Sequence, residues 1–393
     1  MKEKFTIGRF FLFLFSLGIT LFIGLIVLVI ADLSGESNFY NPLIFILGSV
    51  FIAWLVIAIF RLVKPKVAGY SFIVLLLCSI LIIFIYESRK AYIDNIPTVD
   101  EQGVNLFDYE PFGTNTKAAF LGEESTLKLT DSLPSIDGAT ALYPLYAAFT
   151  RAVYPENEYD PYNSNVRSNT TPLAYERLLE GEADVIFCAA PSQSQREEAA
   201  GSEKEFIMTP IGREAFVFFV NANNPVSELT VSQIQYIYSG KITNWKEVGG
   251  RNEEIKAFQR PKNSGSQTML EKIMGDKPLT EAPTQDIATG MGGIIEQTAD
   301  YKNFENAIGY SFLFFATEMV GNNQIKLLKI NGITPEKETI RTGEYPFTGE
   351  FYAITTDTLN KNVNKLINWI LSDQGQELVE KTGYIPLEEI LEK

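Results

Sequence analysis

R-P-K-N-S-G-S-Q-T-M-L-E-K-I-M at positions 260–274 reads as the start of a helix with a polar, hydroxyl-rich end. Ser264, Gly265 and Ser266 lead into a segment whose Met269, Leu270, Ile273 and Met274 share one face at helical spacing. Two more starts of the same kind lie upstream. In D-G-A-T-A-L-Y-P-L-Y-A-A-F at 137–149, Asp137-Gly138 reads as a turn after a strand and Pro144 suits a first helical turn. That puts Thr140 and the backbone N–H groups near Ala141 at a helix N-terminus. In S-N-T-T-P-L-A-Y-E-R-L-L at 168–179, Thr171 reads as the N-cap and Pro172 as N1, with Leu173, Leu178 and Leu179 as the apolar stripe. A helix N-terminus carries unpaired N–H groups and about half a positive charge. Any one of these starts is compatible with ordinary N-capping. Three aimed at one point would make an anion site without lysines. Arg260, four residues before Ser264, offers a guanidinium fork for an oxyanion, although locally it also fits a surface salt bridge.

Around these starts, from about residue 127, short apolar runs alternate with amphipathic segments. L-K-L precedes 144–153, D-V-I-F-C-A precedes 193–200, and A-F-V-F-F-V precedes 230–239. This alternation predicts an α/β fold built on βα units. Glu214 to Val220 is apolar enough for a buried central strand. Cys188 is expected in a buried strand, and Trp369, in N-K-L-I-N-W-I-L, on the core face of a helix.

Composition removes several chemistries. The 393 residues contain no histidine and two cysteines, which excludes Ser–His and Cys–His catalytic pairs, a disulfide scaffold and a cysteine zinc cage. No catalytic residue, metal ligand or cofactor is expected. Residues 1–90 hold 8 basic and 4 acidic residues, the rest 25 and 44, so the outer bulk carries −19. So acidic a chain is not expected to bind nucleic acid.

The first ninety residues read as three transmembrane helices, with uncharged runs at Phe10 to Ala31, Leu43 to Phe60 and Val67 to Tyr86. The first run is too long for a signal-peptide core and is expected to be kept. Lys2, Lys4 and Arg9 precede the first span, and Arg61, Lys64 and Lys66 lie between the second and third. The positive-inside rule then puts the N-terminus in the cytoplasm and residues 87–393 outside, against only Arg89 and Lys90. Residues 91–126 read as a linker and 127–393 as the folded outer domain.

The segment I-Y-S-G-K-I-T-N-W-K-E-V-G-G at 237–250 closely resembles a stretch of the phosphate-binding proteins of bacterial ABC importers, and the order of the three helix starts resembles theirs. The resemblance covers roughly residues 127–388. It implies a type II periplasmic-binding-protein fold, two α/β lobes joined by two crossover strands with the ligand in the cleft. Lobe 1 would hold about 127–212 and 313–393, lobe 2 about 213–312, with crossovers near 210–221 and 307–316. In that family an R-x-x-x-S-G-[TS] element binds phosphate, and Arg260, Ser264, Gly265 and Ser266 match it. The family's T-F pair falls on Thr140 and Ala141, and its serine before the second helix falls on Thr171. Two positions depart from the pattern. The family's aspartate, in a run like A-S-D-A-P, is replaced by Ala189 in F-C-A-A-P, and an acid two residues after the arginine is replaced by Lys262. The resemblance implies a membrane-anchored, extracytoplasmic, non-enzymatic receptor for inorganic phosphate or a similar anion, working with an ABC permease. The alternative is a sensor whose lobe closure signals through the membrane helices or a partner protein.

Overall fold

The computed structural model describes residues 6–33, 37–94, 98–99, 105–260, 262–280, 301–302, 304–319 and 324–387. Lys2, Lys4 and Glu36, and the linker positions 95–97 and 100–104, lie outside the described residues. Two compact units divide at about residue 96.

The first unit contains α1 (Ile7–Leu33), α2 (Ser37–Ile59) and α3 (Pro65–Asp94). All three are long and apolar enough to cross a membrane. At about 1.5 Å per residue even α2 reaches about 34 Å, against a bilayer core of about 30 Å. Large apolar side chains such as Phe11, Leu25, Phe45 and Phe84 point outward, as lipid-facing residues do. Polar groups pin the helix ends. Asn41 Nδ2 donates to Asp32 Oδ1 at 2.9 Å, and the Trp54 indole N–H donates to the Ala68 carbonyl at 3.1 Å. Helix α3 continues past the third apolar run, through Glu87, Arg89 and Lys90, to Asp94.

The second unit is α/β. Its strands are β1 (Ile136–Gly138), β2 (Val185–Cys188), β3 (Ile207–Asn221), β4 (Lys256–Ala257), β5 (Ala307–Phe312), β6 (Ile325–Leu327) and β7 (Thr348–Thr355). Its main helices are α4 (Tyr143–Val153), α5 (Thr171–Glu180), α6 (Gln193–Gly201), α7 (Val231–Tyr238), α8 (Gly265–Met274), α9 (Lys337–Arg341), α10 (Asn362–Ile370) and α11 (Asp373–Thr382). The sheet order is β1-β2-β7-β3-β5-β4, with β6 also on β3.

Two large hydrophobic cores sit along this sheet, with two smaller clusters beside them. The first gathers Tyr146, Phe149, Phe187, Ile211, Phe351, Trp369 and Leu378. The second gathers Phe216, Phe218, Ile234, Trp245, Leu270 and Tyr310. Each such side chain, fully buried, contributes roughly 1.5–3 kcal/mol of transfer free energy. Strand β3 serves both cores. Its first half pairs with β7 from Ile207↔Thr355 to Ala215↔Thr348, and its second half pairs with β5 from Phe216↔Phe312 to Val220↔Ile308. Cys188 and Trp369 are buried, as their patterns predicted.

Five expectations are corrected. L-K-L at 127–129 is not a strand. The first strand of the sheet is Ile136–Gly138, where the sequence suggested a turn, because it pairs in parallel with Val185–Phe187. Gly138 belongs there for lack of a side chain: a Cβ would sit 2.5 Å from the Phe187 carbonyl oxygen. Residues 105–126 are no free linker, since Leu106, Tyr109 and Ala118 are buried in the first core and the Thr126 N–H donates to Gln374 Oε1 at 2.8 Å. The lobe boundary expected at 312/313 also moves. Phe314 and Phe315 do reach the first core, but Leu328, Ile330, Ile340, Tyr345 and Phe347 pack in the second. The chain passes back to the first core between Phe347 and Phe351, and Ile385 packs once more in the second. Finally, Thr170 is the N-cap of α5 and Thr171 is its first residue, because Thr170 has the extended backbone and Thr171 is already helical.

One buried group sits where the two halves of β3 meet. Glu214 is 7 % exposed and accepts the Phe314 N–H at 2.7 Å. Burial pushes its carboxyl up to about 8 from an ordinary 4.5, with the Phe314 bond opposing. A raised carboxyl value means that the contribution of this group to stability is fully present below about pH 4.5. Stability is then lost as the pH rises towards 8, by up to about 1.4 kcal/mol per pH unit. Glu214→Gln retains an acceptor for Phe314 and removes the titration. Thermal unfolding of the full chain should show the variant gaining on the wild type by several degrees at pH 8 and little at pH 5. An equal difference at both pH values would contradict this origin.

Candidate functional site

Three segments of the first half leave the sheet on the same edge. β1 and β2 run parallel with Gly138 beside Phe187, and Ile136 bridges in parallel to Val166. The chain therefore emerges there three times, towards Thr140, Thr171 and Ala189. In open α/β sheets the carboxyl ends of the strands are where ligands bind. In the second half, β4 runs parallel to β5, and the Phe258 N–H extends this pairing to the Ile308 carbonyl at 3.1 Å, two residues before Arg260.

These edges face one another. A Cβ built on Gly265 would lie 3.4 Å from Thr171 Oγ1, 3.6 Å from Ala189 Cβ and 3.9 Å from the Phe312 ring. The second and third helix starts thus meet across the two halves, with Ala189 beside them. Gly265 at this position lets the backbone of α8 approach α5.

The α8 start is built for donation. Ser264 is the N-cap, its hydroxyl accepting the Gln267 N–H at 3.2 Å, and its carbonyl takes the Thr268 N–H at 2.9 Å. The N–H groups of Gly265 and Ser266 precede the helical hydrogen-bond pattern and point out of the helix end. Ser266 is 5 % exposed. Having accepted from Gln267, the Ser264 hydroxyl retains its proton for donation.

Arg260 is 8 % exposed. Its backbone N–H donates to Gln267 Oε1 at 3.0 Å and to the Tyr310 hydroxyl at 2.8 Å, and that hydroxyl itself donates to Gln267 Oε1. The spacing S-x-x-Q from Ser264 to Gln267 is that of a capping box. Here only half the box forms, because the Gln267 side chain is diverted to hold Arg260. That spacing was the available sequence signal for Gln267, and it went unread. Tyr310 had no such signal.

Thr140 and Ala141 lie in a 3-10 turn, Thr140–Leu142, that runs directly into α4. The Ala141 carbonyl accepts the Tyr384 hydroxyl, which fixes the turn against the C-terminal part of the chain. Lys262 is exposed.

Electrostatically the first half of the site depends on Asp137, 1 % exposed. Its Oδ1 accepts the N–H of Gly138 at 2.8 Å and of Asn169 at 2.9 Å. Its Oδ2 accepts Asn169 Nδ2 at 2.7 Å and Arg177 Nη1 at 2.9 Å. The carboxylate is neutralised by Arg177 on α5 and ties the loop before Thr171 to β1. Sequence reasoning took Asp137 for a turn residue and missed this role. The Cys188 thiol, hydrogen-bonded to Thr171, is pushed well up by burial and stays neutral, so it brings no charge to the site. Among the described residues, no group of three or more acidic, histidine or cysteine side chains could hold a metal.

The chain is 27% identical over 270 residues to the phosphate-binding protein PstS of Bacillus subtilis, covering 68% of this chain and 83% of that protein. It is 25% identical over 264 residues to the PstS of Borreliella burgdorferi, covering 65% and 90%. Among solved structures it is similar to an ABC-type phosphate transport receptor from Vibrio cholerae, at 18% identity and a TM-score of 0.45, covering 66% of this chain and all of that one. The family model for the PBP superfamily domain matches residues 130–374. With strand β3 serving both cores and the second and third helix starts meeting between them, the chain belongs to the PBP superfamily and has a type II periplasmic-binding-protein fold.

Proposed function

We propose that the second unit captures phosphate, or a closely related oxyanion, in the cleft and delivers it to an ABC permease, with the three apolar helices holding it at the outer face of a membrane. The observation that carries this reading is the approach of Thr171 and Gly265 from opposite halves. The proposed ligand set is Thr140 and Ala141 at the first helix start, Thr171 at the second, and Arg260, Ser264, Gly265 and Ser266 at the third. Neutral hydroxyl and N–H donors at converging helix ends stabilise an anion through oriented dipoles, and the Arg260 guanidinium adds the one full positive charge. The phosphate-binding names of the similar proteins support the ligand class. With no nucleophile–base pair in the set, the role is capture and release, not catalysis.

Ala189 sets the selectivity in this reading. A carboxylate there would accept a hydrogen bond from a protonated phosphate and repel a fully ionised oxyanion. A methyl does neither, so the site should discriminate weakly between phosphate and sulfate. Ala189→Asp should favour phosphate over sulfate; an unchanged ratio of the two affinities in competitive dialysis would contradict this placement.

Arg260→Ala leaves the anion with neutral donors. A charge-assisted bond in a partly dry cleft is worth roughly 2–5 kcal/mol on truncation, so phosphate affinity should fall about 30-fold or more. Arg260→Lys should recover only part, because an ammonium cannot form the fork. Equilibrium dialysis with radiolabelled phosphate checks both, and equal binding by wild type and Arg260→Ala would remove the arginine from the site.

The proposed topology places the N-terminus in the cytoplasm and the second unit outside. An alkaline-phosphatase fusion after residue 95 should be active and one after Lys64 inactive; the opposite pattern would invert the model.

A further inference from the structure

Beside the proposed anion site, the two halves touch through a second set of polar groups that contains no anion ligand. Ser192 caps α6. Its hydroxyl accepts the Gln195 N–H at 3.2 Å, and Gln195 Oε1 accepts the Ser192 N–H at 2.8 Å. The same two side chains also reach across to Asn263. Ser192 Oγ–H donates to Asn263 Oδ1 at 2.9 Å, and Gln195 Nε2 donates to the Asn263 carbonyl at 3.4 Å. Ser192 and Gln195 are 4 % and 3 % exposed, so these bonds are shielded from water. Ser192 follows β2 of the first half, whereas Asn263 lies between Arg260 and Ser264 of the second. Asn263 holds φ at +68°, a left-handed conformation that asparagine tolerates better than most residues.

The arrangement is preorganised. The capping box fixes both donors within α6 whatever the second half does, so little side-chain freedom is lost when they meet Asn263. We propose that Asn263 and the Ser192–Gln195 cap form a latch that closes the cleft without an anion, and that Asn263 thereby sets the affinity of the site. The proposal rests on the reading of the second unit as a two-lobed anion receptor. A ligand that needs the closed form binds with an apparent affinity scaled by the fraction already closed. One neutral hydrogen bond shifts such an equilibrium by about two- to tenfold, and the longer bond from Gln195 adds less. The latch is independent of anion charge, so it raises affinity for every anion that fits and does not alter selectivity among them.

The test uses the full chain in nanodiscs with Cys78→Ser, so that single-molecule energy transfer can be read between dyes on Glu198→Cys and Lys246→Cys; native Cys188 is fully buried. In phosphate-free and sulfate-free buffer this parent should show a closed, short-distance population. Asn263→Gly keeps the backbone conformation and removes the acceptor, and should lower that population two- to tenfold and raise the phosphate Kd by the same factor. Asn263→Asp still offers an oxygen to the Ser192 hydroxyl and should keep the closed population while weakening phosphate binding by charge repulsion. The latch is overturned if the parent is entirely open without anion, or if Asn263→Gly leaves the anion-free distribution unchanged. A closed anion-free population that Asn263→Gly reduces, in a protein that binds no phosphate, would instead retain the latch and overturn the phosphate reading.

Discussion

The carboxylate of Asp137 is buried in the middle of a short parallel strand and accepts four hydrogen bonds, from Gly138, from Asn169 twice and from Arg177. A buried charge is tolerated only when it is paired and fully hydrogen-bonded, and removing one partner of such a pair is typically worth about 3–5 kcal/mol. Here that demand becomes geometry. To satisfy Asp137, the loop at 169 must lie against β1 and α5 must turn its Arg177 inward. The first turn of α5, with Thr171, is then delivered to the edge where β1 and β2 also end. The proposed anion donors of this half are neutral, and the ion pair beneath them fixes the first turn of α5.

On the other side, Gln267 and Tyr310 do for Arg260 what Arg177 and Asn169 do for the first half, holding its backbone while Ser264 opens α8. The halves are joined by β3, which is continuous through both cores, and by the return of the chain from Phe347 to Phe351 beside it. In the proposed reading, ligand capture and the Asn263 contact act on the same open–closed equilibrium. In the proposed reading the acidic net charge poses no obstacle, because the field at the cleft is set by nearby helix ends rather than by a net charge screened beyond about 8–10 Å.

The legible parts of the sequence were those with local causes. Three apolar runs, the βα alternation, the strand containing Phe216–Val220 and the helix starts at Thr171 and Ser264 follow from periodicity, proline placement and capping chemistry. The illegible parts depended on distant partners. Asp137-Gly138 has the composition of a turn, yet it is a strand because Phe187 lies beside it. Leu106 and Tyr109 sit in a polar stretch, and only the first core explains their burial. Phe347 and Phe351, four residues apart, belong to different cores, which no local pattern marks. Glu214 was read as one end of an apolar run, and its burial arises from the crossover around it.

The central claim is that one anion is held at once by backbone N–H groups from both halves. Hydrogen–deuterium exchange of the full chain, with and without saturating phosphate, measures those groups. Slowed exchange in peptides spanning 139–142, 171–173 and 264–267 together is the predicted result. Protection confined to one half, or none at saturation, would contradict it.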